Sequence, residues 1–140
     1  MNELWAFLGL FSISFLSATI LPLQSEVVLL GMLYFGYNPL SCLLIATLGN
    51  VLGGTTNYFL GLWGNALFIR KKPSFIDKIQ KHKRYIDKYG SFLAFFSWLP
   101  IIGDPLLIAM GFFKINFWVV FLLMSLGKFI RYLLITLSFL

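Results

Sequence analysis

Four charged side chains lie inside otherwise apolar stretches, and they are the residues best suited to chemistry. They are two acids, Glu26 and Asp104, and two bases, Lys128 and Arg131. Placing such a group at the centre of a bilayer costs roughly 2.5 to 3.5 kcal/mol, so these side chains should meet one another or water. Because Lys128 and Arg131 are three positions apart, they share one face of a helix. We predict that the four form one buried site for protons or an anionic substrate.

Two interpretations of these charges remain open. In the first, Glu26 and Asp104 pair with Lys128 and Arg131 and hold the fold together, since buried acids usually have a partner. In the second, the two bases bind an anionic group such as a lipid phosphate, and an acid takes up and releases a proton. A pair that breaks when substrate enters would serve both roles.

The composition identifies an integral membrane protein. Hydrophobic residues make up 59% of the chain and charged residues 11%, whereas a soluble domain carries roughly 25% charged residues. We predict a single membrane domain over 1–140 that is not an enzyme, because no P-loop, H-E-x-x-H or G-x-S-x-G motif is present. Cys42 and His82 are the only residues of their types, so we expect no disulfide, metal or cofactor.

One sequence pattern occurs twice: an apolar residue, a proline and, four positions after the proline, an acid. It runs from Leu21 to Glu26 and again from Leu99 to Asp104, at an offset of 78 residues. The same offset pairs Met32 with Met110, Phe35 with Phe113, Asn38 with Asn116 and Gly49 with Gly127. Repeated units with broken helices around a buried acid are typical of transporter folds.

The sequence predicts that each unit is a hairpin followed by one membrane crossing. The apolar stretch 4–35 is too long for one span of about 20 residues and too short for two. A re-entrant hairpin that turns near Pro22 accommodates it, and Pro100 marks the equivalent turn in the second unit. One crossing per unit makes the units inverted, so we expect the hairpins to enter from opposite faces and meet near the midplane.

The predicted fold class is therefore an all-α integral membrane protein with two inverted repeats. Each repeat is a re-entrant helical hairpin plus one transmembrane helix, and a basic amphipathic linker helix joins them. The predicted parts are repeat one over about 4–62, with its crossing at about 40–62; the linker over about 63–90; and repeat two over about 91–140, with its crossing at 116–140.

The linker is strongly basic, with eight of the eleven cations between Arg70 and Lys88. Apolar residues recur at helical spacing opposite these cations, which indicates a helix lying on a membrane surface. The positive-inside rule places the linker in the cytoplasm and both termini outside. The cations either set this topology alone or contact anionic lipid headgroups. The candidate lipid contacts are Arg70, Lys71, Lys72, Lys78, Lys81 and Arg84.

Small and polar residues form a stripe along the first crossing. Gly49 and Gly53 make a G-x-x-x-G step that lets another helix approach closely, and Gly54 and Asn57 continue it. The stripe serves either helix packing alone or a cavity, in which case Asn50 and Asn57 would line a polar route for a headgroup.

Several of these motifs together resemble the DedA family, also called SNARE-associated or VTT-domain proteins, and most of all its short YqaA-type branch. The motifs are Pro22 with Ser25-Glu26, Gly49-Asn50 with Gly53-Gly54, Asn57 with Gly61, Leu99-Pro100 with Gly103-Asp104, and Gly127-Lys128 with Arg131-Tyr132. The resemblance implies two facing re-entrant hairpins in the bacterial inner membrane, with Glu26 as the acid of the first. It also implies movement of lipids between leaflets that depends on the proton gradient.

The resemblance departs at the second hairpin, where better-studied branches carry arginines and this chain has Ser97 and Gly103. We expect Lys128 and Arg131 to supply that charge. The function expected is a flippase or scramblase of phosphate-bearing lipids, with membrane lipids as partners, no nucleic acid, and self-association left open. The alternatives are a proton-coupled carrier of small solutes or ions, and a scaffold that transports nothing.

Overall fold

Helices make up the described part of the chain. The structure is a computed structural model that describes residues 2–19, 25–71, 74–94, 96 and 103–140. The helices within these ranges are α1 (Asn2–Ser17), α2 (Ser25–Tyr34), α3 (Pro39–Lys71), α4 (Ser74–Lys81), α5 (Lys83–Ala94), α6 (Gly103–Phe112) and α7 (Phe117–Phe139). The all-helical part of the prediction is therefore confirmed for the described residues.

Among the residues that the structure describes, two helices are long and apolar enough to cross a membrane. They cover Pro39–Phe68 in α3 and Phe117–Phe139 in α7, with mean hydropathies of 1.3 and 1.8. Both exceed the roughly 20 residues that a crossing needs, and they match the crossings predicted at 40–62 and 116–140. By contrast, α1 has 16 residues and α2 and α6 have 10 each.

The stretch 4–35 is not one continuous helix. The first helix, α1, ends at Ser17, and α2 begins at Ser25. The predicted turn at Pro22 lies outside the described residues, as does Pro100. In the order of the chain, α1 and α2 nevertheless lie before and after Pro22, and α5 and α6 lie before and after Pro100.

The sequence predicts a linker over about 63–90 with one basic amphipathic helix, whereas this stretch contains parts of three helices. The first crossing helix continues to Lys71, and two further helices, α4 and α5, follow. A tertiary contact accompanies the continuation, because Asn65 is buried and its side-chain amide donates a 2.5 Å hydrogen bond to the Phe112 carbonyl. No proline interrupts the helix before Pro73.

The role of α5 also differs from a helix that lies only on the membrane surface. It packs against α6, and Gly90 lies directly against the Ile115 side chain. Ile86 and Leu93 of α5 line a small apolar groove together with Met110 of α6. One side of α5, at Ile86 and Gly90, therefore packs on protein, whereas Tyr85, Tyr89 and Phe92 of the same helix are exposed.

The described residues divide into two compact units. The first unit comprises the chain up to Gly54 together with Ser125–Leu140, and so contains α1, α2, the beginning of α3 and the end of α7. Its core includes Cys42, which is fully buried among apolar side chains. The buried core residues of this unit are Leu10, Leu29, Met32, Leu33, Cys42, Leu43, Ala46 and Tyr132.

The second unit comprises Thr55–Met124. In it, α3 and α6 touch backbone to backbone, which their glycines permit. A Cβ atom added at Gly61 would lie 2.7 Å from the Phe112 nitrogen, and one at Gly111 would lie 2.8 Å from the Tyr58 carbonyl carbon. Such distances are shorter than any van der Waals contact. The close packing of α3 and α6 therefore requires glycine, which has no side chain, at both positions.

The ends of α2 and α6 repeat each other in atomic detail. Tyr37 N donates to Met32 O and, at the 78-residue offset, Ile115 N donates to Met110 O, both at 3.1 Å. Asn38 then caps α3 by accepting from Leu40 N at 3.0 Å. The equivalent residue, Asn116, caps α7 by accepting from Trp118 N at 2.9 Å. Both caps satisfy amide groups that the first helical turn leaves open.

One position of this shared turn is occupied by two different residues, and the left-handed backbone conformation costs them different amounts of free energy. The first turn has Gly36 at φ 86°, and the second has Lys114 at φ 53°. Left-handed backbone costs a residue with a Cβ atom about 1 to 2 kcal/mol. We therefore expect Lys114→Gly to increase the free energy of unfolding by about 1 kcal/mol, seen as a higher thermal midpoint of the detergent-purified protein.

The control is Lys114→Ala, which removes the same charge and keeps the strained backbone. We expect it to leave the midpoint within experimental error of the unmodified protein. If alanine stabilised as much as glycine did, the gain would come from removing the charge and the backbone explanation would be wrong.

Candidate functional site

An ion pair joins the start of α2 to the end of α7 within the first unit. The side chain of Arg131 lies 2.9 Å from Glu26 Oε1, with 12% and 30% of the two side chains exposed. Glu26 is placed by the first turn of α2, where an acid also complements the positive end of the helix dipole. The pairing of Glu26 with Arg131 is one of those that the sequence left open.

A tyrosine hydroxyl lies beside this ion pair. Tyr132 is fully buried, and its hydroxyl accepts a 3.1 Å hydrogen bond from Arg131 Nη2. The same hydroxyl is 2.6 Å from Ser25 Oγ. The guanidinium carbon lies 4.8 Å from the centre of the Tyr132 ring, close enough for a cation–π contact. Arg131 is thus fixed in position by a carboxylate, a hydroxyl and an aromatic ring.

The second base, Lys128, lies one turn earlier on α7 and is only 1% exposed. Its ammonium group donates a hydrogen bond to Asn50 Oδ1. The amide of Asn50 donates in turn to Ser14 O at 3.0 Å and to Ser17 Oγ at 3.1 Å. This chain of hydrogen bonds connects α7 to α3 and α1, so Lys128 is held by the interior of the unit.

The contact between Asn50 and Lys128 joins two equivalent positions. They are 78 residues apart, which is the offset at which the sequence pattern recurs.

The other predicted residues are distributed as follows. Asp104 lies in the first turn of α6 and is half-buried. Asn57 is fully buried. Both residues belong to the second unit. Glu26, Lys128 and Arg131 belong to the first unit. Three of the four predicted charges thus occur in one unit.

The glycine stripe contacts α1. A Cβ atom added at Gly49 would lie 2.6 Å from Phe11 O, and one at Gly53 would lie 2.7 Å from Ala18 Cβ. Gly54 is buried. The helix-packing interpretation therefore explains Gly49 and Gly53, whereas Asn50 belongs to the polar network around Lys128.

The basic residues of the linker are mostly exposed. Arg70, Lys71, Lys81 and Arg84 are exposed; Lys72 and the side chain of Lys78 are outside the description. Lys83 differs from these, because its ammonium group donates to the carbonyls of Phe113 and Lys114 at 3.1 and 2.9 Å.

Four residues of the site were not predicted as such from the sequence, namely Ser14, Ser17, Ser25 and Tyr132. Two signals were available: Ser25 precedes Glu26 and Tyr132 follows Arg131, and hydroxyl groups beside membrane charges commonly hydrogen-bond to them. For Ser14 and Ser17 no signal existed, since serines are common on apolar helices, where they bond to their own backbone.

Comparisons with known proteins give one consistent result. Residues 21–139 match the VTT domain family. The chain is 40% identical over 133 residues to the inner membrane protein YqaA of Escherichia coli, covering 94% of this chain and 89% of that protein. It is 36% identical over 135 residues to an uncharacterized protein of Haemophilus influenzae, covering 88% and 80% of the two chains. No solved structure matches it.

Proposed function

The chain belongs to the VTT-domain family of membrane proteins, also called DedA, and on that premise we propose that it is a transporter moving phosphate-bearing lipids between membrane leaflets. The observation that carries the proposal is the pair of bases, Lys128 and Arg131, one turn apart on α7 and withdrawn from solvent. Two cations on one face at membrane depth match a group that bears negative charge on several oxygens.

Arg131 is the residue that we propose to bind phosphate directly. Its planar guanidinium group can donate two parallel hydrogen bonds to a carboxylate or a phosphate. In the structure the partner is Glu26. A phosphate replaces Glu26 without leaving Arg131 unpaired, and Lys128 supplies the additional positive charge about one helical turn away.

Glu26 is the residue that we propose to couple transport to protons. When the carboxylate takes up a proton, its attraction to Arg131 falls and the guanidinium becomes available to phosphate. When Glu26 releases the proton on the other side of the membrane, it competes again for Arg131 and displaces the lipid. The exposure of the Glu26 side chain, 30% against 12% for Arg131, supports Glu26 as the partner that exchanges with water.

The fold supports alternating access through two re-entrant hairpins, α1–α2 and α5–α6, in inverted repeats. The support comes from α2 and α6, whose 10-residue lengths, C-terminal turns and following Asn caps correspond at a constant offset. We further propose that the basic helices face the cytoplasm, that their exposed cations contact lipid headgroups, and that both termini lie outside the inner membrane, the location in the name of the Escherichia coli relative.

Reconstitution tests this function. The purified protein is placed in liposomes with fluorescent lipids of matched acyl chains, bearing a phosphate monoester, a phosphodiester or no phosphate. We expect accelerated exchange between leaflets for phosphate-bearing lipids only, with a further increase when a pH gradient is imposed. Equal rates for all lipids, or rates equal to those of protein-free liposomes, would contradict the proposal.

A further inference from the structure

A wide cleft opens at the end of the first unit where α1 begins and α2 turns into α3. Its volume is about 860 Å3. Three aromatic residues, Phe7, Phe35 and Tyr37, and the acid Glu3 are among the residues that line it. No lysine or arginine is among its described lining residues. The site described above uses none of these groups.

The aromatic rings are positioned to act together. The centres of the Phe7 and Tyr37 rings are 5.8 Å apart, with the ring planes at 77°. This edge-to-face arrangement holds the two rings at a fixed angle instead of stacking them on each other. Phe35 is 79% exposed, so its face remains available to a ligand.

The charge at this cleft is opposite to that of the whole chain. The formal net charge is +6, yet the first lysine or arginine in the sequence is Arg70. Glu3 therefore provides negative charge in a stretch of the sequence that contains no lysine or arginine side chain. An acid beside several aromatic faces is the chemistry that recognises ammonium groups, because the ring faces carry partial negative charge.

Exposed aromatic residues on the helices that form the cleft favour a location at the level of lipid headgroups. Trp5 on α1 is 69% exposed, and Tyr34 at the end of α2 is 77% exposed. Tryptophan and tyrosine are enriched at both membrane interfaces, where an apolar ring and a polar group are both accommodated. A ligand at this cleft would thus come from the headgroup layer or from the adjacent water.

We propose that this cleft binds an ammonium group between the Glu3 carboxylate and the rings of Phe7, Phe35 and Tyr37. The ammonium belongs either to an amine-bearing lipid headgroup or to a soluble amine. The proposal is independent of lipid translocation, because it concerns different residues and is tested by binding.

Binding to the detergent-solubilised full chain provides the test, with tryptophan fluorescence as the signal. The soluble probes are tetramethylammonium and ethanolamine; the lipid probes are short-chain phosphatidylethanolamine and phosphatidylglycerol of equal chain length. We expect the amine-bearing probes to bind and phosphatidylglycerol to bind at least about fivefold more weakly, the size of effect that one cation–π contact gives. Tighter binding of phosphatidylethanolamine than of ethanolamine identifies a lipid headgroup, whereas equal binding identifies a soluble amine.

Variants separate the carboxylate from the rings. Glu3→Gln and Tyr37→Leu should each weaken binding of the amine probes about fivefold or more. Tyr37→Phe retains the ring and should bind normally, as should Asp77→Asn, which removes an exposed acid from α4. Unchanged binding in Glu3→Gln with an unchanged thermal midpoint, or equal affinity for phosphatidylglycerol and phosphatidylethanolamine, would overturn the proposal.

Discussion

Replacing Glu26 with glutamine and Arg131 with methionine in one protein should abolish lipid translocation and leave the fold intact. The two side chains form a largely buried ion pair at 2.9 Å. Exchanging both members of such a pair for neutral groups of similar volume is often neutral for stability or even stabilising. Transport, by contrast, loses both the proposed phosphate ligand and the proposed proton carrier.

The single variants are the controls for this experiment. Arg131→Met alone leaves the Glu26 carboxylate without its ion-pair partner, and we expect a lower thermal midpoint than in the double variant. Glu26→Gln alone retains the cation, so we expect phosphate-bearing lipid still to bind while the response to a pH gradient disappears. Arg131→Lys retains charge without the planar guanidinium and should keep only part of the activity.

The double variant also distinguishes transport from a scaffold role. An ion pair that only holds α2 against α7 explains the same 2.9 Å contact. A scaffold would keep its cellular function in a stable double neutral variant, because its interface has been replaced rather than broken. Leaflet exchange at the rate of the unmodified protein, measured in liposomes with equal protein incorporation, would remove Glu26 and Arg131 from the mechanism.

The local structure of α2 and α6 was predictable because it is encoded in neighbouring residues. A proline and an Asn cap recur at a constant offset, and the helices α2 and α6 begin and end at corresponding positions. The two crossings were predictable for a similar reason, since about 20 apolar residues suffice to define a span.

The end of α3 and the packing of α5 depend on tertiary contacts and were predicted less well. Hydropathy falls after residue 62, yet α3 continues to Lys71, and the buried side-chain amide of Asn65 donates a hydrogen bond to the Phe112 carbonyl. An amphipathic stripe is the same whether it faces lipid or another helix. In α5 the partner is α6, with Gly90 against Ile115, and no feature of the stripe specifies that choice.

The charged residues of the site were predicted from the sequence, but most of their contacts with one another were not. Charges in apolar segments are detectable because each is costly there, which identified Glu26, Lys128 and Arg131. Their partners were not detectable in the same way. One partner of Lys128 is the neutral Asn50, which the sequence pattern predicts in a packing stripe or along a polar route. Pairing depends on how helices rotate against each other, and residue type does not determine that.

Replacing Gly53 with leucine should prevent α1 from packing on α3 and cause most of the protein to misfold. Even a Cβ atom at this position would lie 2.7 Å from Ala18 Cβ. One turn earlier, a Cβ atom added at Gly49 would lie 2.6 Å from Phe11 O. Overpacking typically costs 1 to 3 kcal/mol when side chains can move aside. Here the obstruction includes the backbone of α1, so we expect a loss at or above about 3 kcal/mol.

The matched control is Gly64→Ala on the same helix, where an added Cβ atom has no other atom within 4 Å. Alanine is the better helix former by about 1 kcal/mol, so this variant should be as stable as the unmodified protein or slightly more so. Size-exclusion chromatography in detergent and the thermal midpoint measure both effects. If Gly53→Leu eluted as the unmodified protein does with an unchanged midpoint, the close approach of α1 to α3 would be wrong. The polar connection from Lys128 through Asn50 to Ser14 depends on that approach and would then also fail.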